Sequence, residues 1–166
     1  MRKRFEAQMK LGQIPIENVV LPKKSRDEMP PILAGLKWIY QTPEINEQIF
    51  KILEKKIIGS KKLTGRKGMD LWHILVLGVV RLGLDCDFDR LEYLVHYDKL
   101  LRQIMGLESS FDGEFGKGFH QKTMSDNLAY LNEETMKEIN LIIAKAGHEL
   151  LKKKRKKSRP KLIHML

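Results

Sequence analysis

A single cysteine, Cys86, stands among 166 residues. No internal disulfide can therefore brace the chain, and no cysteine-based structural zinc site can form within it. Cys86 lies beside an apolar run, which suits a small packed side chain rather than a nucleophile. Long apolar runs are scarce as well. The longest, LWHILVLGVVRLGL at 71–84, has 14 residues and contains His73 and Arg81. A membrane span needs about 20 apolar residues, so this run reads as a buried core helix with His73 as a satisfied core residue. The basic start is not followed by the uninterrupted apolar stretch of a secretory leader. A cytoplasmic microbial protein with no membrane association is the expectation.

Patterns that carry chemistry are missing too. The histidines are His73, His96, His120, His148 and His164, and no two form a His-Glu-x-x-His pair. HELL at 148–151 lacks the second histidine. DCDFDRLEYLVH places Asp85, Asp87 and Asp89 at the first spacings of a calcium loop. Arg90 then stands where glycine is needed, and His96 where a bidentate glutamate belongs. The acids are better explained as a helix N-terminus, where carboxylates suit the dipole. No nucleophile elbow, phosphate-binding Walker loop or dinucleotide glycine pattern occurs. No residue is assigned a catalytic or metal-binding role, and no cofactor is expected.

What the chain has is positive charge, +10 at pH 7 with an isoelectric point near 9.7. Its location is uneven. KKKRKKSRPK at 152–161 holds eight cations and no acid, MRKRFEAQMK at the start holds four cations and one acid, and the remainder holds 19 cations and 20 acids. The body is near neutral and the ends are basic. Such a balance implies an anionic partner, most often nucleic acid.

The pattern along the chain is helical, with no convincing strand pair. Residues 1–30, with Pro15, Pro22, Pro30 and Pro31, read as an extended arm. In TPEINEQIFKILEKKIIG, Thr42 is an N-cap candidate and Pro43 fits the first turn. Ile45, Ile49, Ile52, Leu53 and Ile57 then share one face, and Gly59 fits the end. Asp70 is the cap candidate for the core helix. DCDFDRLEYLVHYDKLLRQIMGL gives one or two helices. In FHQKTMSDNLAYLNEETMKEIN, at 119–140, Thr123 and Asp126 resemble a capping box and Met124, Leu128 and Leu131 a buried side. Asn132 can cap a last helix whose Met136, Ile139, Ile143, Ala146 and Leu150 keep the helical period. The expected fold is an all-α bundle of about five to seven helices over 31–151, with a basic tail at 152–166 read as disordered.

Three stretches offer nucleic-acid contacts. In TGRKGMD, two glycines bracket Arg66 and Lys67 just before a helix start, an arrangement that can lay cations and backbone N–H groups on a phosphate. A surface turn explains the same residues. The stretch at 119–140 fits a helix-turn-helix, with Gln121, Lys122, Ser125 and Asn127 as polar side chains for bases or phosphates. Any helical bundle contains such a helix pair. Lys152, Lys153, Lys154, Arg155, Lys156 and Lys157 can neutralise several phosphates without sequence preference, and a solvated tail is the plain alternative. No nucleophile, metal partner or acid cluster accompanies His120 in the sequence.

The order of segments adds a resemblance. KSRDEMPPILAGLKWIYQTPEINEQIFKILEKKI, TGRKGMDLWHILVLGVVRLGLDCDFDRLEYLVHYDKLLRQIMGL and FHQKTMSDNLAYLNEE together resemble the N-terminal region of bacterial insertion-sequence transposases of the ISNCY type. The central series is similar to the N-terminal domain of InsH-like transposases. The resemblance spans roughly residues 1–153 and rests on the ordered series rather than on one motif. It implies a DNA transposase whose RNase H-like catalytic domain, with two aspartates and a glutamate on divalent metal, lies downstream. This chain stops at Leu166 without such a triad. A truncated or frameshifted gene would give this ending.

The resulting expectation is a DNA-binding, helical transposase portion for element-end recognition or assembly, without its own strand-transfer site. Its partners would be transposon-end DNA and a second copy or a full-length transposase. The rival reading is a non-catalytic interaction module, or an inhibitory or decayed remnant, that does not bind DNA specifically.

Overall fold

The computed structural model describes residues 2–5, 11–59, 68–108 and 118–158. Among these it is all-helical, with seven α-helices and no strand. They are α1 (Met29–Gln41), α2 (Pro43–Leu53), α3 (Leu71–Leu84), α4 (Phe88–Tyr97), α5 (Lys99–Met105), α6 (Gln121–Leu128) and α7 (Glu133–Ser158). A 3₁₀ turn at Ile16–Asn18 precedes α1, and a π-turn at Glu54–Ile58 prolongs α2. The expected helical bundle is thus present.

The 71–84 run is the centre of the fold. Every residue from Leu71 to Gly78 is buried, and each large aliphatic side chain so buried contributes roughly 2 kcal/mol. α1 packs across α3, and α6 covers it from the other side. Asp70 takes the N-cap position of α3 but makes no side-chain capping bond. Main-chain carbonyls do the work instead: Leu71 N–H donates to Lys3 O at 3.0 Å and Trp72 N–H to Arg4 O at 2.9 Å. Two of the four N–H groups that a helix start leaves without internal partners are satisfied this way. Residues 2–5 are thus docked against the bundle, which the reading of an extended arm did not foresee. Phe5 seals that docking edge-on against Tyr40, Trp72 and His73, with ring centroids 5.8–6.4 Å apart.

The helix ends show which local signals were decisive. Asp87 Oδ1 accepts from Arg90 N–H at 2.8 Å, so the acidic cluster there does build a helix start. Asp98 repeats the device for α5, accepting from Leu101 N–H at 2.8 Å. Asn132 Oδ1 accepts from Thr135 N–H at 2.9 Å and caps α7 as expected. Besides Asp70, two caps differ from expectation. Thr42 occupies the cap position of α2, yet its hydroxyl donates backwards to Trp38 O at 2.7 Å. Thr123 lies inside α6, whose N-cap is His120; Asp126 instead pairs with Lys122 at 2.9 Å. Pro30 and Pro31 do not break structure either. They occupy the first turn of α1, where a missing N–H costs nothing.

One buried charge ties α4, α5 and the segment after them. Arg102, 3% exposed, donates to Glu108 Oε2 at 2.8 Å, to Val95 O at 2.8 Å and to Leu107 O at 3.1 Å. His73, also buried, lies 2.7 Å from Met105 O through Nε2, so the core histidine is satisfied. Trp72 Nε1 donates to Ile104 O at 2.9 Å on the same neighbour.

Candidate nucleic-acid interface

α7 carries the basic segment. The helix does not stop before residue 152 but continues to Ser158, so residues 152–158 are helical and not the start of a disordered tail. Lys and Arg are good helix formers, and cations suit the negative end of the dipole. No proline or glycine intervenes between Gly147 and Ser158. The acids sit at the opposite end, with Glu133 and Glu134 in the first turn. The charge of α7 is thus polarised along its own dipole.

The body releases the helix partway along. Ile139 is fully buried, and α7 packs chiefly against α2. From His148 to Lys157 every residue is exposed. Lys152, Lys153, Lys154, Arg155, Lys156 and Lys157 therefore form six consecutive exposed positions on helical backbone. Six adjacent positions turn through well over one full turn, so cations point in all directions about the axis. Like charges four apart repel by a few tenths of a kcal/mol, a strain that phosphates would relieve.

The second candidate stretch is divided by the structure. Its break at 129–132 separates α6, held against α3 and α4, from α7. Lys122 is highly exposed and held loosely by Asp126. Gln121 is exposed and donates to Asp89 at 2.8 Å. Ser125 is half-buried. Asn127 turns its polar atoms toward the protein. It is buried, its oxygen accepts from Arg2 at 2.6 Å, and its amide donates to Thr123 O at 2.7 Å. The polarity that suggested a base contact serves an internal bridge.

Arg2 is the residue that sequence reasoning passed over. Besides Asn127 it reaches Met69 O at 3.1 Å, and its guanidinium lies 5.4 Å from the Tyr130 ring centroid. It also crosses Gly68 so closely that a Cβ there would meet Arg2 Cζ at 2.5 Å. One of the two glycines bracketing Arg66 and Lys67 thus makes room for an arginine from the chain's start. Arg66 and Lys67 themselves lie outside the described residues. Arg2, Met69, Phe119, His120 and Asn127 line a cleft of about 540 Å³, which draws together the stretch after 67 and the one after 118. Nothing in the sequence near Arg2 signals this, because Asn127 is 125 residues away.

The titratable groups described around the cleft are dispersed. His120 is 90% exposed, and its Nδ1 lies 3.6 Å from Glu92 Oε1. Cys86 is half-buried, and burial pushes its thiol above the ordinary value, away from a reactive thiolate. Among the described residues no group of three or more His, Cys, Asp or Glu side chains converges on a metal-sized space. None of their helices is long and apolar enough to cross a membrane. No family model, curated protein or solved structure matches the chain.

Proposed function

We propose that this chain is a DNA-binding helical portion of a transposase that recognises or assembles element ends. The observation that carries the DNA part is the exposed cationic end of α7, six consecutive Lys and Arg on helical backbone beyond the body. The transposase part is supported by the ordered resemblance of the segments around α1–α2, α3–α5 and α6. In this reading α7 delivers sequence-independent affinity through phosphates, while Gln121, Lys122 and Ser125 on α6 are the candidates for local contacts. Arg66 and Lys67 keep the phosphate role that the sequence suggests.

Binding to element-end duplex and to scrambled duplex of equal length, followed by fluorescence anisotropy over a salt series, tests both parts. Six phosphate contacts give a slope of about −5 in a plot of log affinity against log salt. Replacing residues 152–157 with glutamine should remove those contacts, reduce the slope by about 5 and weaken binding to both duplexes alike. A slope unchanged by the replacement would remove α7 from the interface. Equal affinity for both duplexes in the unaltered chain would remove element-end recognition and favour the interaction-module reading.

A further inference from the structure

α7 carries an apolar stripe that outruns its cover. Met136, Ile139 and Ile143 pack on the body. Leu150 continues the stripe seven residues beyond Ile143, and Leu151 lies beside it, 57% exposed. Alongside the covered half runs an apolar groove of about 430 Å³ between α1, α3 and α7, lined in part by Ile32, Gly35, Leu82 and Ile143. Leu82 on its wall is 59% exposed. One helix therefore bears an uncovered ridge and borders an unfilled groove, with the two displaced along its axis.

We infer that α7 pairs antiparallel with α7 of a second copy of this chain, about a two-fold axis near residues 143–147. An axis there places residue 150 of one copy level with residue 140 of the other, where Asn140 lines the groove. Each Leu150 and Leu151 then fills the groove of its partner. The same operation sets the Lys152–Lys157 segment beside Glu133, Glu134 and Glu138. Lys137 and Lys56 offset part of that acidic charge, at 2.7 Å from Glu133 and 3.6 and 3.4 Å from Glu134 and Glu138. The cluster stays net negative, three acids against two bases. A parallel pairing would stack six cations on six and leave both grooves empty, so charge and shape select the antiparallel one. Two-fold pairing is also the commonest closed symmetry. Ala144 and Gly147 lie at the crossing, and a Cβ at Gly147 meets nothing within 4 Å in the single chain. Cations project all round the helix, so those turned away from the partner stay open to phosphate. The pairing itself does not depend on DNA.

Light scattering on the full chain at concentrations up to about 100 μM, without DNA, reads the association directly. A dimer is expected. Leu150→Glu with Leu151→Glu should give a monomer, and so should Gly147→Trp, each with an unchanged far-ultraviolet circular dichroism spectrum. Leu150 and Leu151 are both exposed and Gly147 has open space, so the monomer fold tolerates these changes. In a Cys86→Ser background, Ala144→Cys near the axis should oxidise to a linked dimer, whereas Leu151→Cys should not. A monomer at every concentration, a dimer that survives the two glutamates, or ready self-linking through Leu151→Cys would each overturn the pairing. The double-glutamate variant retains all six cations and should keep most of the salt slope. Loss of the dimer and loss of DNA affinity are therefore separate results.

Discussion

Replacing Arg102 with alanine should be among the most damaging single changes in the body of this protein. The guanidinium is 3% exposed and donates to one carboxylate and two main-chain carbonyls. Its removal strands Val95 O in the last turn of α4, leaves Leu107 O without that donor, and opens a cavity the length of the side chain. Breaking a buried ion pair on one side costs about 3–5 kcal/mol. Glu108 retains 28% exposure and can rehydrate, which argues for the lower end, about 3 kcal/mol. For a chain of this size that corresponds to a fall in Tm of roughly 10 °C. Urea and thermal unfolding, followed by circular dichroism at 222 nm, measure both values. Arg102→Met refills volume but not the hydrogen bonds and should recover only a part. If Arg102→Ala costs less than about 1 kcal/mol, within the range of surface substitutions, the tie among α4, α5 and Glu108 is not structural and the reasoning fails.

Three further outcomes follow from the same geometry. Asn132→Ala removes the α7 cap and should cost about 1 kcal/mol in urea unfolding, with Asn132→Asp close to neutral. Gly106 ends α5 at φ +68°, where a Cβ would also meet Phe5 Cζ at 2.8 Å; Gly106→Ala should cost about 1–2 kcal/mol and speed hydrogen exchange at Leu71 and Trp72. Hydrogen bonding to Arg4 lowers the Glu47 carboxyl from its ordinary value of 4.5. A lowered folded value means a contribution present above the ordinary value and lost as pH falls through the lowered one. Unfolding midpoints of the natural chain and Glu47→Gln should therefore differ at neutral pH and converge on acidification, with the gap smaller at high salt.

What the sequence made legible were features whose causes lie close together in the chain. The core helix at 71–84 was readable because its apolar run is bounded by Asp70 and by Asp85, which adopts φ +48° at the helix end. The helix starts at Asp87 and Asn132 were readable because a side-chain oxygen and an amide three residues on complete the cap. Thr42, Asp70 and Thr123 show the limit. Each has the right residue type, but an upstream carbonyl, a distant strand of main chain or a start three residues earlier took the place of the expected bond. The interface was readable in its charge and less so in its form. Lys152 to Lys157 could be named from composition, whereas their helical backbone depends on α7 being nucleated by its docking on α2. Asn127 was named as a DNA contact because its polarity is visible and its partner Arg2 is not.

The carbonyls of Lys3 and Arg4 at the start of α3 set an order of assembly. They close a loop of nearly seventy residues, since Arg2 meets Met69 across a separation of 67. Such a closure is entropically expensive and rewards itself only once its target surface exists. α3 must first be helical and flanked by α1 for Phe5 to find Tyr40, Trp72 and His73. Residues 2–5 are thus a latch fastened late rather than a seed. A bulky fusion placed ahead of them would burden that last step, leaving a bundle that is helical but open at the head of its most buried helix.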